Sequence, residues 1–178
     1  MKIDSKKPAI IIVLGMHRSG TSLTAQMVHR WGANMGDDLM AANEYNQEGY
    51  WEYNPLVNLN DKMLAFTGNI WYAPPFSVKL EMLLYTFGQE AKELVEKMDE
   101  SQYIWCWKDP RMAALIPFWK EILVERKIAY VVTYRNPLSV ADSLKKRDAI
   151  PSYVSMPCGS FIHEVFYQEF KKKTTLFF

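Results

Sequence analysis

A chain of 178 residues is enough for one domain with a real core and too short for two comfortable ones. With 49% apolar and 23% charged residues it has an ordinary globular composition. Its net charge of +1 removes any global electrostatic case for nucleic acid or an anionic membrane as partner. Any anion must therefore be held by locally placed basic groups.

The N-terminal "MKIDSKKPAIIIVLG" places lysines before an apolar run. That run is too short for a membrane span and lacks a small-residue cleavage site, so a cytoplasmic setting is expected. "AIIIVL", residues 9–14, is β-branched and continuously apolar, as for a parallel strand covered on both faces. "SGTSLTAQMVHRWG" follows as a helix, with Leu23, Met27, Val28 and Trp31 at helical spacing and Gly32 as its stop. Strand, glycine turn and helix make the first half of a βαβ unit.

Residues 33–55 are rich in Asn, Gly, Asp and Glu and read as a long loop of the functional or mobile kind. "PLVNLNDKMLAF" predicts a helix with Leu56, Leu59, Met63 and Leu64 on one face. Pro74 and Pro75 break the chain, and "KLEMLLYTFGQEAKELVEKMDE" predicts a longer amphipathic helix. "YIWCW" reads as a second buried strand. "AALIPFWKEILVERK" is helical, with Pro117 in its first turn or at a kink. "IAYVVTY" reads as a third buried strand, and "NPLSVADSLKKRD" as a helix capped by Asn136 with Pro137 at its first position. Beyond Asp148 the pattern degrades, apart from a candidate short helix in "IHEVFYQEFKKK". The alternation predicts one α/β domain, residues 1–178, with a central parallel sheet flanked by helices.

The two cysteines form neither a bridge framework nor metal-ligand spacing, and Cys106 reads as a buried thiol. No metal is expected. Six Trp and ten Tyr suggest an aromatic-lined surface or pocket besides core packing.

Chemistry concentrates at three strand ends, "GMHRSGTS", "KDPR" and "RNP". Ligands of open α/β sheets bind beyond the carboxyl ends of the strands, so these clusters should converge. The first has phosphate-loop glycine spacing, but Thr21 stands where a nucleotide triphosphatase carries Lys. Backbone N–H groups at the turn and helix start suit an anion. Ser19, Thr21 and Ser22 add hydroxyls, and Arg18 adds a forked cation.

"HRSGTS", "WKDPR" and "YRNPLSVADSL", in that order after three strands, resemble the PAPS-dependent sulfotransferase family, over roughly residues 9–148. The resemblance implies a P-loop-like three-layer α/β sandwich and transfer of a sulfuryl group from 3′-phosphoadenosine 5′-phosphosulfate (PAPS) to a hydroxyl or amine, leaving 3′,5′-ADP (PAP). It implies that His17, Arg18, Ser19, Gly20, Thr21 and Ser22 bind the donor's 5′-phosphosulfate. Arg135 and Ser143, eight residues apart, would bind its 3′-phosphate, so that Arg18 and Arg135 grip opposite ends of one nucleotide. Lys108, in "KDPR", would stabilise the transferring group, with Asp109 as an orienting partner. The loop "NEYNQEGYWE" resembles bacterial sulfotransferase-like proteins and makes Glu52, ahead of Glu48 and Glu44, the candidate base.

The chain departs from the family in two places. Leu23 stands where many cytosolic members carry an adenine-stacking Trp. Lys171 to Lys173 lack the glycine loop that closes over the 3′-phosphate, which makes residues 149–178 an atypical tail. The expected acceptor is a small molecule or glycan, and self-association is a further expectation. Two other readings stay open: a small-molecule kinase with a degenerate phosphate loop, and a non-catalytic nucleotide- or anion-binding domain.

Overall fold

The computed structural model describes residues 9–72, 79–99 and 104–149. Strand β1 spans Ile10–Leu14, and helices α1, α2 and α3 span Thr21–Arg30, Asn54–Phe66 and Leu80–Asp99. Strand β2 (Trp105–Lys108), helix α4 (Met112–Ile122), strand β3 (Ile128–Val132) and helix α5 (Pro137–Asp148) complete the order. The three strands form one parallel sheet in the order β2-β1-β3. The chain is thus α/β, with β1 central and helices on the sheet's faces. Among the described residues, no helix is long and apolar enough to cross a membrane.

The apolar run of β1 is continuous because both faces are covered. Ile10, Ile12 and Leu14 point into the larger core, with Leu56, Met63, Leu83, Val95, Trp107, Trp119 and Leu144. Val13 points the other way, into a smaller cluster with Ala25 and Val28 of α1 and with Cys106. Burial pushes the Cys106 thiol up to about 12, as an inert core thiol requires.

Three elements differ from the sequence reading. β3 is half-buried with Ala129 exposed, because among the described residues no helix packs closely on it, whereas α1 covers the equally outer β2. α1 buries Thr21, Ala25 and Val28, whereas Leu23, Met27 and Trp31 lie on its exposed stripe. The helix therefore turns its smaller side chains to the sheet, which allows close approach. α4 ends at Ile122, five residues short of the expected Lys127, and of the two places offered for Pro117 it takes the helix interior, where the missing N–H costs one helical hydrogen bond.

The long loop 33–53 is ordered by backbone pairing. Cys106 N–H donates to Asn34 O at 2.8 Å, and Asn34 N–H to Ile104 O at 2.8 Å, so the loop starts as a one-residue extension beside β2. Pro74, Pro75, Cys158, His163, Lys171 to Lys173 and the expected C-terminal helix lie outside the described residues.

Candidate functional site

The turn after β1 is built to bring backbone close to β3. A Cβ on Gly15 would overlap the Thr133 hydroxyl, so only glycine lets the two strand ends approach this closely. Ser19 closes the turn through its N–H and its Oγ, both donating to Met16 O (3.1 and 2.6 Å). Its Oγ also pairs with Thr133 Oγ1 at 2.8 Å. That hydroxyl is committed to the turn. Arg18 adopts a left-handed conformation, φ 67°, uncommon for a residue with a side chain.

Gly20, φ 97°, leads into α1, whose start has neither a side-chain cap nor an acidic residue in its first turn. By contrast, Asn136 caps α5, its side chain accepting from Leu138 N–H at 2.9 Å. The first N–H groups of a helix have no intrahelical partners, so the bare start of α1 suits an anion. It opens into a cleft of about 230 Å³ whose lining includes His17, Arg18, Thr21, Ser22, Lys108 and Arg135. Glu52, Tyr50, Asn46 and Arg147 line it too.

The two expected nucleotide arginines lie side by side. Arg135 donates through NH1 to the backbone carbonyl of Arg18 at 3.0 Å. Ser143 accepts from Arg18 Nε at 2.8 Å, so the hydroxyl expected to work with Arg135 is bonded here to the other arginine. The reason lies in α5, which sets Ser143 two turns in from Arg135 and opposite the turn after β1.

Behind the cleft lies a buried charge network. Lys108, 3% exposed, forms an ion pair with Glu52 Oε1 and donates to Tyr50 O at 3.1 Å. Arg111 NH1 reaches Glu52 Oε2 at 3.2 Å and Asp109 Oδ1 at 3.0 Å, while its Nε donates to Asp61 at 2.7 Å. Asp109 accepts from Asn60 Nδ2 at 2.7 Å, and Asn60 in turn accepts from Trp119 Nε1 at 2.9 Å. Lys108, Asp109 and Arg111 thus form a buried network with Glu52.

Electrostatics follow from this burial. Desolvation raises the Glu52 carboxyl above its usual value, with Lys108 and Arg111 pulling it back. Burial opposes the Arg111 charge, but Asp109, Glu52 and Asp61 outweigh it and hold the guanidinium protonated. Burial, and then the cations Arg111, Lys108 and Arg147, hold His17 well below 6.5 and therefore neutral at pH 7. Its Nε2 is enclosed and, among the described residues, has no hydrogen-bond partner.

The loop carboxylates separate cleanly. Glu52 is in the cleft, Glu48 accepts from Gln26 at the surface at 3.2 Å, and Glu44 is exposed. Tyr50 contributes its carbonyl, which accepts from Ser22 Oγ (3.2 Å) as well as Lys108. Trp51, φ 59°, packs against His29 at 5.0 Å and anchors the loop.

Sequence reasoning missed Arg147 and Trp71. Arg147 follows Ser143 by four residues and so shares its helix face, a signal that was present. Trp71 stacks on His17 at 4.5 Å, and nothing local to it announces that. Among the described residues, no cluster of His, Cys, Asp and Glu has a metal-holding arrangement.

No protein-family model, no curated protein and no solved structure matches this chain. The site's function rests on its own residues.

Proposed function

We propose that the chain is a PAPS-dependent sulfotransferase with a P-loop-like α/β fold. The observation that carries this reading is the convergence of Arg18, Arg135 and Lys108 on one cleft at the uncapped start of α1. Such a cleft suits a nucleotide with anionic groups on both its 3′ and 5′ sides. Arg135 would meet the 3′-phosphate, and Arg18 with the α1 N–H groups the 5′-phosphosulfate.

In the transfer, an acceptor oxygen or nitrogen bonds to sulfur as the bond from sulfur to the 5′-phosphate oxygen breaks. The electron pair goes to that phosphate oxygen. Fixed donors next to the developing charge stabilise the transition state more than the ground state, which is the role of Lys108 and Arg18. Glu52 would take the acceptor's proton, since burial makes its carboxyl more basic than usual. It holds Lys108 in the same contact, so proton transfer to Glu52 would free Lys108 to follow the charge.

The kinase reading is weaker. Its magnesium-binding carboxylate would be Asp109, which is fully buried and already bonded to Asn60, Arg111 and the Arg111 N–H. The deciding experiment is a thermal-shift comparison of 3′,5′-ADP, 5′-AMP and Mg-ATP. Stabilisation that is largest with 3′,5′-ADP supports the proposal, and stabilisation by Mg-ATP alone refutes it.

A further inference from the structure

Arg147 has no part in the donor site just described, yet it lines the same cleft. Its side chain is only 11% exposed. α5 carries Ser143 and Arg147 on one face, a turn apart. Ser143 bonds to Arg18, so Arg147 stands one turn further along α5 from that contact. Arg135 precedes the opposite end of the helix. At about 1.5 Å per residue, the ten residue steps from Pro137, the first residue of α5, to Arg147 span about 15 Å of helix axis. The donor's two anionic ends are assigned to Arg135 and Arg18, which leaves the Arg147 end for the second substrate.

The surroundings of Arg147 form a wall. Its Cζ lies 5.7 Å from the Trp71 ring centroid, in cation–π range. The His17 ring packs on the same Trp71 at 4.5 Å. Asp148 Oδ2 accepts from Arg147 Nε (2.7 Å) and pairs with NH2 (2.6 Å), fixing the plane of the guanidinium. Among the described residues, NH1 is left without a partner.

We propose that Arg147, held on Trp71 by Asp148, selects an acceptor that itself bears an oxyanion near the hydroxyl or amine to be modified. A carboxylate or a sulfonate-type group would meet the NH1 edge, and a ring-shaped body would lie along Trp71. This inference rests on the sulfotransferase reading and adds the acceptor's chemical class to it. Arg147 is a specificity-determining residue in this account. It plays no part in donor binding.

The test uses the full chain with PAPS and three phenolic acceptors: phenol, 4-hydroxybenzoate and 4-hydroxybenzenesulfonate. Release of 3′,5′-ADP is followed for the wild type and for Arg147→Gln, and 3′,5′-ADP affinity is measured for both. A charge-assisted contact predicts a preference in kcat/KM of about tenfold to a hundredfold for an anionic phenol over phenol. The preferred member of the pair tells carboxylate from sulfonate. In Arg147→Gln that preference should collapse, while 3′,5′-ADP affinity stays within about threefold and so reports an intact fold. A wild type indifferent to the anionic group overturns the proposal. So does a variant that loses 3′,5′-ADP affinity instead, because that places Arg147 in the donor site. If the wild type neither binds 3′,5′-ADP nor releases it from PAPS with any acceptor, the sulfotransferase reading itself fails and this inference falls with it.

Discussion

Arg135 donates to the main-chain carbonyl of Arg18 at 3.0 Å, which ties the segment after β3 to the turn after β1. One cleft therefore holds both guanidinium groups, and a ligand that occupies it meets both. Arg135 is exposed while Arg18 is half-buried, so removing Arg135 should affect ligand binding far more than folding. Arg135→Ala is expected to keep its melting temperature within a degree or two, since exposed substitutions usually cost under about 0.5 kcal/mol. A larger drop in a thermal melt would mean that the contact with Arg18 is structural.

The buried Lys108–Glu52 pair predicts a pattern of stabilities. Removing one partner strands a charge in the core, which typically costs about 3–5 kcal/mol. Glu52→Leu and Lys108→Met should each destabilise the protein by an amount of that order in chemical denaturation. The double variant should recover a large part of the loss, because no buried charge is left unpaired. Arg111 tempers the recovery, since it also loses its contact with Glu52. Strictly additive losses would show that the two side chains do not depend on each other.

His17 predicts a pH dependence of stability. Its folded pKa lies well below the ordinary 6.5 because burial and three cations oppose its charge. Below pH 6.5 the unfolded chain takes up a proton that the folded chain refuses. Stability is therefore complete above about pH 6.5 and falls as the pH drops, by at most about 1.4 kcal/mol per pH unit. His17→Asn should flatten that part of the curve. Melting curves for both proteins at pH 7.5 and 5.5 check this, and equal slopes would rule it out.

Gly15 predicts intolerance of the smallest side chain. A Cβ there would overlap the Thr133 hydroxyl and crowd Ser19 Oγ at 2.8 Å. Gly15→Ala should cost about 1–3 kcal/mol through overpacking, and Thr133→Ser should not rescue it, because the serine keeps the offending oxygen. Thr133→Ala in the Gly15→Ala background should restore part of the loss. Urea denaturation of the three variants would read this directly.

Much of the fold was legible because its signals are local. Continuous apolar runs marked β1 and β2, and an Asn-Pro pair marked the start of α5. β3 read as fully buried because composition shows apolar character but not which strands the helices cover, and α1 lies over β1 and β2. In α1 the sequence placed Leu23, Met27, Val28 and Trp31 at helical spacing, yet close packing on the sheet buries only Val28 of these, together with Ala25 and Thr21. In the site, the three strand-end motifs bring Arg18, Lys108 and Arg135 to one cleft at the carboxyl end of the sheet. The sequence could not show that Ser143 bonds to Arg18, since that depends on how α5 lies against the turn. Nor could it show Trp71 at the cleft wall, because that contact joins segments 54 residues apart (71 − 17).

The central claim is that one nucleotide bridges Arg18 and Arg135, and a ligand-and-variant cycle tests it most directly. Calorimetric affinities would be measured for 3′,5′-ADP and 5′-AMP with the wild type and with Arg135→Ala. If Arg135 meets the 3′-phosphate, the variant should lose about tenfold to a hundredfold on 3′,5′-ADP and almost nothing on 5′-AMP. Equal losses on both nucleotides, or a wild type that prefers 5′-AMP, would contradict the account.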